Sequence, residues 1–152
     1  MGRLKTLKGI IEEELKEMDP TKKTAAMAHL YGVSLQATII ARHRGENSEL
    51  LAMAGMLHDI AAYKTGSYED HAHKGANIAK EILKQHQLTN SEETKLIVEA
   101  IAHHDDKDRK DSAFDEVLKD ADVMDHVFKD LDKPVKAKEQ ARYEALCEEF
   151  QL

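Results

Sequence analysis

Several things are scarce in this sequence of 152 residues, and each scarcity excludes something. Two prolines and seven glycines are too few for a sheet-rich chain with many tight turns. Cys147 is the single cysteine, so no internal disulfide can form and no CxxC pair offers a zinc site. A reducing, cytoplasmic setting is therefore expected. No apolar run approaches the roughly 18 residues that span a bilayer, so no membrane partner is expected. Arg3, Lys5, Lys8 and Glu12 interrupt the first residues, which predicts no signal peptide. Positive charge is in deficit, with 22 Lys and Arg against 29 Asp and Glu, a net charge of −7. That balance argues against a nucleic-acid backbone as the main partner.

What the sequence does hold is histidine, nine of them, in an otherwise ordinary soluble composition of 34% charged and 41% hydrophobic residues. The patterning is helical almost throughout. Leu4, Leu7, Ile11, Leu15 and Met18 form a stripe over 3–17. Pro20 follows Asp19 at the start of a second helix, reaching about His43 and ending near Gly45. Asn47 or Ser48 caps a third, which ends around His58-Asp59; a loop is expected over about 61–70. Helices follow over about 71–86, from a capping box at Asn90 and Glu93 to about 104, over 114–129, and over 136–150. DDKDRKD, residues 105–111, reads as a polar loop. No repeat or linker divides the chain, so the expectation is one all-α domain over 1–152, a bundle of about six to seven helices.

Histidines and one aspartate then stand on the apolar faces, where an ionisable group needs a partner or a metal. His29 lies three after Ala26 and four before Val33. His58 is four after Ala54, His71 is four before Gly75, and His104 is four after Ala100. Asp122 falls four after Leu118 in an apolar run, and Asp59 adjoins His58. His73 and His103 sit beside His71 and His104 but turn toward the polar side, and spacing alone leaves both pairs open. One such histidine is ordinary in a core. Four on four helices, with two aspartates, suit a divalent metal, because neutral imidazole and carboxylate are its usual ligands.

The surrounding segments carry a resemblance. AHLYGVSLQATIIA around His29, ELLAMAGMLHDIAAY around His58-Asp59 and HAHKGANIAKEIL around His71 come first. VEAIAHHD around His104 and VLKDADVMDHV around Asp122 follow. Over about residues 25–128 they resemble the HD-domain metal-dependent phosphohydrolases, with the pattern H…HD…H…H…D. The resemblance implies a helical fold in which His29, His58, Asp59 and Asp122 bind one metal. In members that also carry the two middle histidines, it implies that Asp59 bridges to a second metal on His71 and His104. The position three after the aspartate, a glutamate in some single-metal members, is Ala62 here, so that acid does not carry over.

One or two divalent ions per chain are thus expected, with Fe, Mn, Co, Ni or Mg favoured over tetrahedral Zn by the mixed donor set. The expected activity is hydrolysis of a small phosphorylated molecule, a nucleotide by preference, by a metal-activated hydroxide attacking phosphorus. Asp59 is the catalytic candidate, holding the ions and orienting water. Lys64 and Lys74 are candidates for meeting further phosphates. Two alternatives remain beside this reading. One is an HD fold kept as a non-catalytic metal-binding or regulatory module. The other is a helix-turn-helix over 28–42, with its turn at Gly32-Val33-Ser34. The Glu-x-x-His pairs of carboxylate-bridged di-iron bundles are absent. The chain is expected as a monomer or homodimer, with Tyr143, Leu146 and Phe150 on the last helix packing on the bundle.

Overall fold

The computed structural model describes residues 2–152. Eight α-helices make up the fold among these residues: α1 (Arg3–Glu14), α2 (Pro20–Arg44), α3 (Ser48–Leu57), α4 (Ile60–Thr65), α5 (His71–Gln85), α6 (Ser91–His103), α7 (Ala113–Lys129) and α8 (Gln140–Phe150). One turn of 3₁₀ helix, Ala137–Glu139, precedes the last. The boundaries follow local chemistry. Asp19 accepts from the Lys22 amide ahead of Pro20, and Asn47 accepts from the Leu50 amide at 3.0 Å. Asn90 and Glu93 form the reciprocal capping box expected of them. Gly45 ends α2 in the left-handed region at φ 77°, where glycine carries no Cβ penalty.

Helix α3 is the hub. Every residue from Leu50 to Ala62 is buried, so this stretch is apolar on all sides and serves as the surface on which the others pack. Helix α2 crosses it closely, because a Cβ on Gly55 would lie 2.8 Å from the Ser34 Cα. The Ser34 hydroxyl donates to the Ala52 carbonyl at 2.9 Å across the same contact. Helix α7 packs along α2 and also touches α3, while α5 and α6 pair and close over α3 and α4. The terminal helices share the core: Leu7, Ile11 and Leu15 of α1 and Leu146 of α8 belong to one apolar cluster, with Tyr143 and Phe150 packed against it. Among the described residues no helix is long and apolar enough to cross a membrane.

Two expectations change. The loop expected over 61–70 is shorter, because α4 occupies Ile60–Thr65, and only the turn from Gly66 (φ 74°) to Asp70 is irregular. The apolar trio Ile60-Ala61-Ala62 is what the buried side of α4 needs, and a six-residue helix is too short to show a period. The helix-turn-helix is ruled out by continuity. Gly32-Val33-Ser34 lies in the interior of the unbroken 25-residue α2, where there is no turn to separate two helices. Gly32 has another reason to be glycine: a Cβ there would stand 1.9 Å from the Asp125 carboxylate.

Candidate metal centre

Five elements converge on one point. His29 comes from the middle of α2, and His71 from the first position of α5. His104 caps the C-terminus of α6, and Asp122 lies mid-way along α7. His58 and Asp59 sit where α3 breaks into α4; Asp59 leaves helical geometry at φ −106° and ψ 13°. Gly75 lets α5 approach that break, since a Cβ there would lie 3.3 Å from the His58 carbonyl oxygen. All six side chains are buried.

Each of the four histidines has its Nδ1 tied to an atom that can only accept. His29 Nδ1 donates to Asp125 Oδ2 at 2.7 Å, and His58 Nδ1 to the Gly55 carbonyl at 2.7 Å. His71 Nδ1 donates to the Tyr68 carbonyl at 2.9 Å, and His104 Nδ1 to the Ile101 carbonyl at 2.7 Å. The hydrogen is thereby fixed on Nδ1, and in each neutral ring Nε2 is left as a lone pair facing inward. Those lone pairs meet the carboxylates in two groups. His29 Nε2 lies 3.2 Å from both Asp59 Oδ2 and Asp122 Oδ1, and His58 Nε2 lies 3.4 and 3.3 Å from the same two atoms. The other oxygen of Asp59, Oδ1, faces His104 Nε2 at 3.2 Å and His71 Nε2 at 3.5 Å.

Asp122 Oδ1 is the buried side-chain polar atom without a hydrogen-bond partner among the described residues. Its sister Oδ2 accepts from Lys107 Nζ at 2.8 Å, and Lys107 also donates to the His104 carbonyl at 2.6 Å. Lysine thus holds one oxygen and leaves the other pointing at imidazoles. Lone-pair atoms crowded to such distances repel one another unless a cation lies among them. Ligands at right angles around an ion with bonds near 2.1 Å stand about 3 Å apart, so the spacings fit a divalent cation. Charge supports the same fit. Burial penalises a charged His29 ring, yet Asp122, Asp125 and Asp59 hold its proton up to about 11. His58 is likewise held at about 9, against burial, by Asp59 and Asp122. At His104 burial prevails, and the pKa is lowered. Burial would raise the Asp59 carboxyl, but His58 holds it well below the usual range; Lys107 does the same for Asp122. Two aspartates held toward the ionised form therefore draw positive charge, as protons where no metal is bound.

The centre opens into a cleft of about 680 Å³, floored by His29, Asp59, His71, His104 and Asp122. Tyr63 and Tyr68 form part of its wall, and Lys22, Lys129 and Lys136 bring cations to it. The lysines singled out from the sequence lie elsewhere. Lys64 pairs with Glu14 in a separate shallow groove, and Lys74 is exposed on α5 away from the cleft. Sequence reasoning could not resolve this, since the direction of a loop lysine depends on how α4 is set. The tandem histidines resolve clearly. His73 is exposed and bonded to Asp70, and His103 turns away to Asp115, at 2.7 Å in both cases. Four nearby residues were not anticipated. Asp125 and His126 follow Asp122 by three and four positions, a spacing that could have flagged them. Lys107 and Glu139 carry no such signal.

The family model for the HD domain matches residues 27–127. No curated protein matches the chain. Among solved structures, a crystal structure from an uncultured Thermotogales bacterium, described as a predicted HD superfamily hydrolase, is similar with a TM-score of 0.66 and 22% sequence identity. The alignment covers 99% of this chain and 90% of that one, and at such identity it speaks for the shared fold. The family match runs from just before His29 to just beyond Asp122, through every residue that converges on the cleft floor, and the protein belongs to the HD-domain family.

Proposed function

We propose that the protein is a dinuclear metal-dependent phosphohydrolase acting on a small phosphorylated molecule, a nucleotide by preference. The observation that carries this reading is the division of Asp59, with Oδ2 facing His29 and His58 and Oδ1 facing His71 and His104. One carboxylate shared between two sets of histidines is the arrangement of a bridging ligand. His29, His58, Asp59 and Asp122 would hold one ion, and Asp59, His71 and His104 the other. When bound, divalent ions supply Lewis-acid activation of water and neutralise charge at phosphorus.

The protein's own residues do the rest. The Nδ1 bonds of the four histidines fix the rings before any ion arrives, so little ordering is left for binding. Lys107 keeps Asp122 turned by one oxygen only. Asp59, at the floor of the cleft, would also orient the attacking water. A cleft of about 680 Å³ is large enough for a nucleotide, within the few hundred to about a thousand Å³ usual for small-ligand sites. Lys22, Lys129 and Lys136 supply cations for an anionic substrate, and Tyr63 and Tyr68 supply aromatic surface. A net charge of −7 is no obstacle, because divalent ions held by these residues would dominate the local field.

Elemental analysis of protein purified without chelator tests the reading. Near two metal equivalents per chain are expected, falling in His71→Ala and Asp122→Ala, with nucleotide phosphate release that depends on the same metal. No metal after reloading would overturn the reading; one equivalent unaffected by His71→Ala would overturn its dinuclear part.

A further inference from the structure

The centre has a neighbour that the reading above leaves idle. His126 lies one turn after Asp122 on α7, on the same face, and lines the cleft. Its Nδ1 donates to Glu139 Oε2 at 3.0 Å, and its Nε2 lies 3.3 Å from Asp122 Oδ1. We propose that His126, positioned by Glu139, is a further protein ligand of the ion faced by His29, His58, Asp59 and Asp122. The inference rests on the metal-centre reading and deepens it.

Three observations carry it. First, of the nine histidines only His126 repeats the full arrangement of the four already assigned. Its Nδ1 is committed to an acceptor, and its Nε2 is aimed at a carboxylate of the centre. His103 and His73 have the first feature but donate to Asp115 and Asp70, with no carboxylate of the centre at Nε2. Second, the atom it faces is the orphaned Asp122 Oδ1, which then stands 3.2, 3.3 and 3.3 Å from the Nε2 atoms of His29, His58 and His126. His29, Asp122 and His126 each offer a ligand atom within 4.8 Å of the others. Third, Glu139 is only 1% exposed although it is a glutamate, and the 3₁₀ turn that carries it delivers its carboxylate to His126. A carboxylate on the far nitrogen of a metal-binding imidazole orients the ring and raises its basicity.

The consequence is asymmetry. The α2–α7 side of the centre gathers five side chains, whereas the α5–α6 side offers Asp59 Oδ1, His71 and His104. The first ion is therefore the tightly held one, and the second the more open.

Titration of chelator-stripped protein with Co²⁺, followed by calorimetry and visible absorption, tests this. Wild type should bind in two unequal steps. His126→Ala should weaken the tighter step by at least about tenfold and alter its absorption band, leaving the weaker step in place. His71→Ala should do the reverse, and Glu139→Gln, which keeps an acceptor for Nδ1, should fall between wild type and His126→Ala. X-ray absorption on wild type with one equivalent of Co²⁺ gives an answer that needs no variant: three imidazoles at the ion are expected. Two imidazoles, or unchanged binding in His126→Ala, would overturn the proposal and leave the dinuclear reading standing. Failure of wild type to bind Co²⁺ at all would overturn both.

Discussion

Two clusters of buried charge flank the loop at 105–111, and they are built to opposite rules. In the first, Lys119 is completely buried, and its ammonium donates to the Asp106 and Arg109 carbonyls at 3.0 and 2.7 Å and to Asp111 at 2.7 Å. Arg142 donates to the Lys107 and Arg109 carbonyls and to Glu116 and Asp120, while Arg44 joins Asp120 to Glu149. Those donors find acceptors. In the second, lone pairs face lone pairs around an orphaned oxygen of Asp122. Burial of charge is common to both, so burial does not mark function here. Incompleteness does. A satisfied network costs little to keep and ties the loop to α7 and α8, whereas an unsatisfied one persists only because something outside the chain completes it.

The comparison breaks most visibly at Asp59. Asp59→Ala removes the carboxylate shared by both sets of histidines, and metal-dependent hydrolysis should fall to background, with both metal equivalents lost. The chelated variant should also melt lower than chelated wild type, because Asp59 is one of the carboxylates that hold the His29 and His58 rings protonated. Elemental analysis with thermal unfolding in excess chelator checks both halves, and retention of two equivalents would contradict the assignment.

Lys119→Met touches the fold alone. Its loss leaves Asp111 and two carbonyls without their donor and should cost about 3 kcal/mol of stability, as broken buried pairs do. Metal per folded chain should be unchanged. Urea unfolding alongside metal analysis separates the two clusters: both variants lose stability, and only Asp59→Ala loses metal.

Most of the buried histidine and aspartate cluster was legible in the sequence because helices report which face each residue occupies. His29, His58, His71 and His104 could be placed inward by their distance from Val33, Ala54, Gly75 and Ala100, and the structure buries all four. Asp122 was visible for the same reason. The capping chemistry at Asn90 was equally local. What stayed hidden depends on how segments meet. Lys107 sits in DDKDRKD, a string any reading assigns to solvent, yet it is 4% exposed, because its loop folds back over Asp122. Glu139 is invisible until the 3₁₀ turn at 137–139 is placed. Helix α4 reads as loop in the sequence, since six residues carry too little periodicity.

A smaller effect should appear in the pH dependence of chelated protein. His29 and His58 are held at about 11 and about 9, above the ordinary imidazole value near 6.5. A raised folded-state pKa contributes stability that is fully present below the unfolded value and is lost as pH rises through the folded one. Chelated protein should therefore lose stability on going from about pH 6.5 toward 9 and beyond. Metal-loaded protein should run the other way over the same window, because its ligands must shed protons before they bind. Denaturant midpoints across that range, with and without Mn²⁺, should diverge. Parallel curves would mean that protons and metal do not compete for these rings.

The least effect belongs to the lysines, and it sharpens where the substrate lies. Lys64 is engaged by Glu14 beside a different groove, and Lys74 is exposed on α5, so Lys64→Ala and Lys74→Ala should leave metal content and kcat/KM near wild type. Lys129 lines the cleft, three residues beyond His126, but shares its charge with Asp125 at 3.1 Å. Asp125 is buried, but the Lys129 side chain is 41% exposed, so its ammonium stays available to an anion in the cleft. Lys129→Ala should therefore raise KM for a phosphorylated substrate several-fold with kcat little changed, the signature of lost ground-state binding. The opposite ranking, with Lys64→Ala the damaging variant, would move the phosphate path to the α4 side of the molecule and away from the cleft that opens over the metal centre.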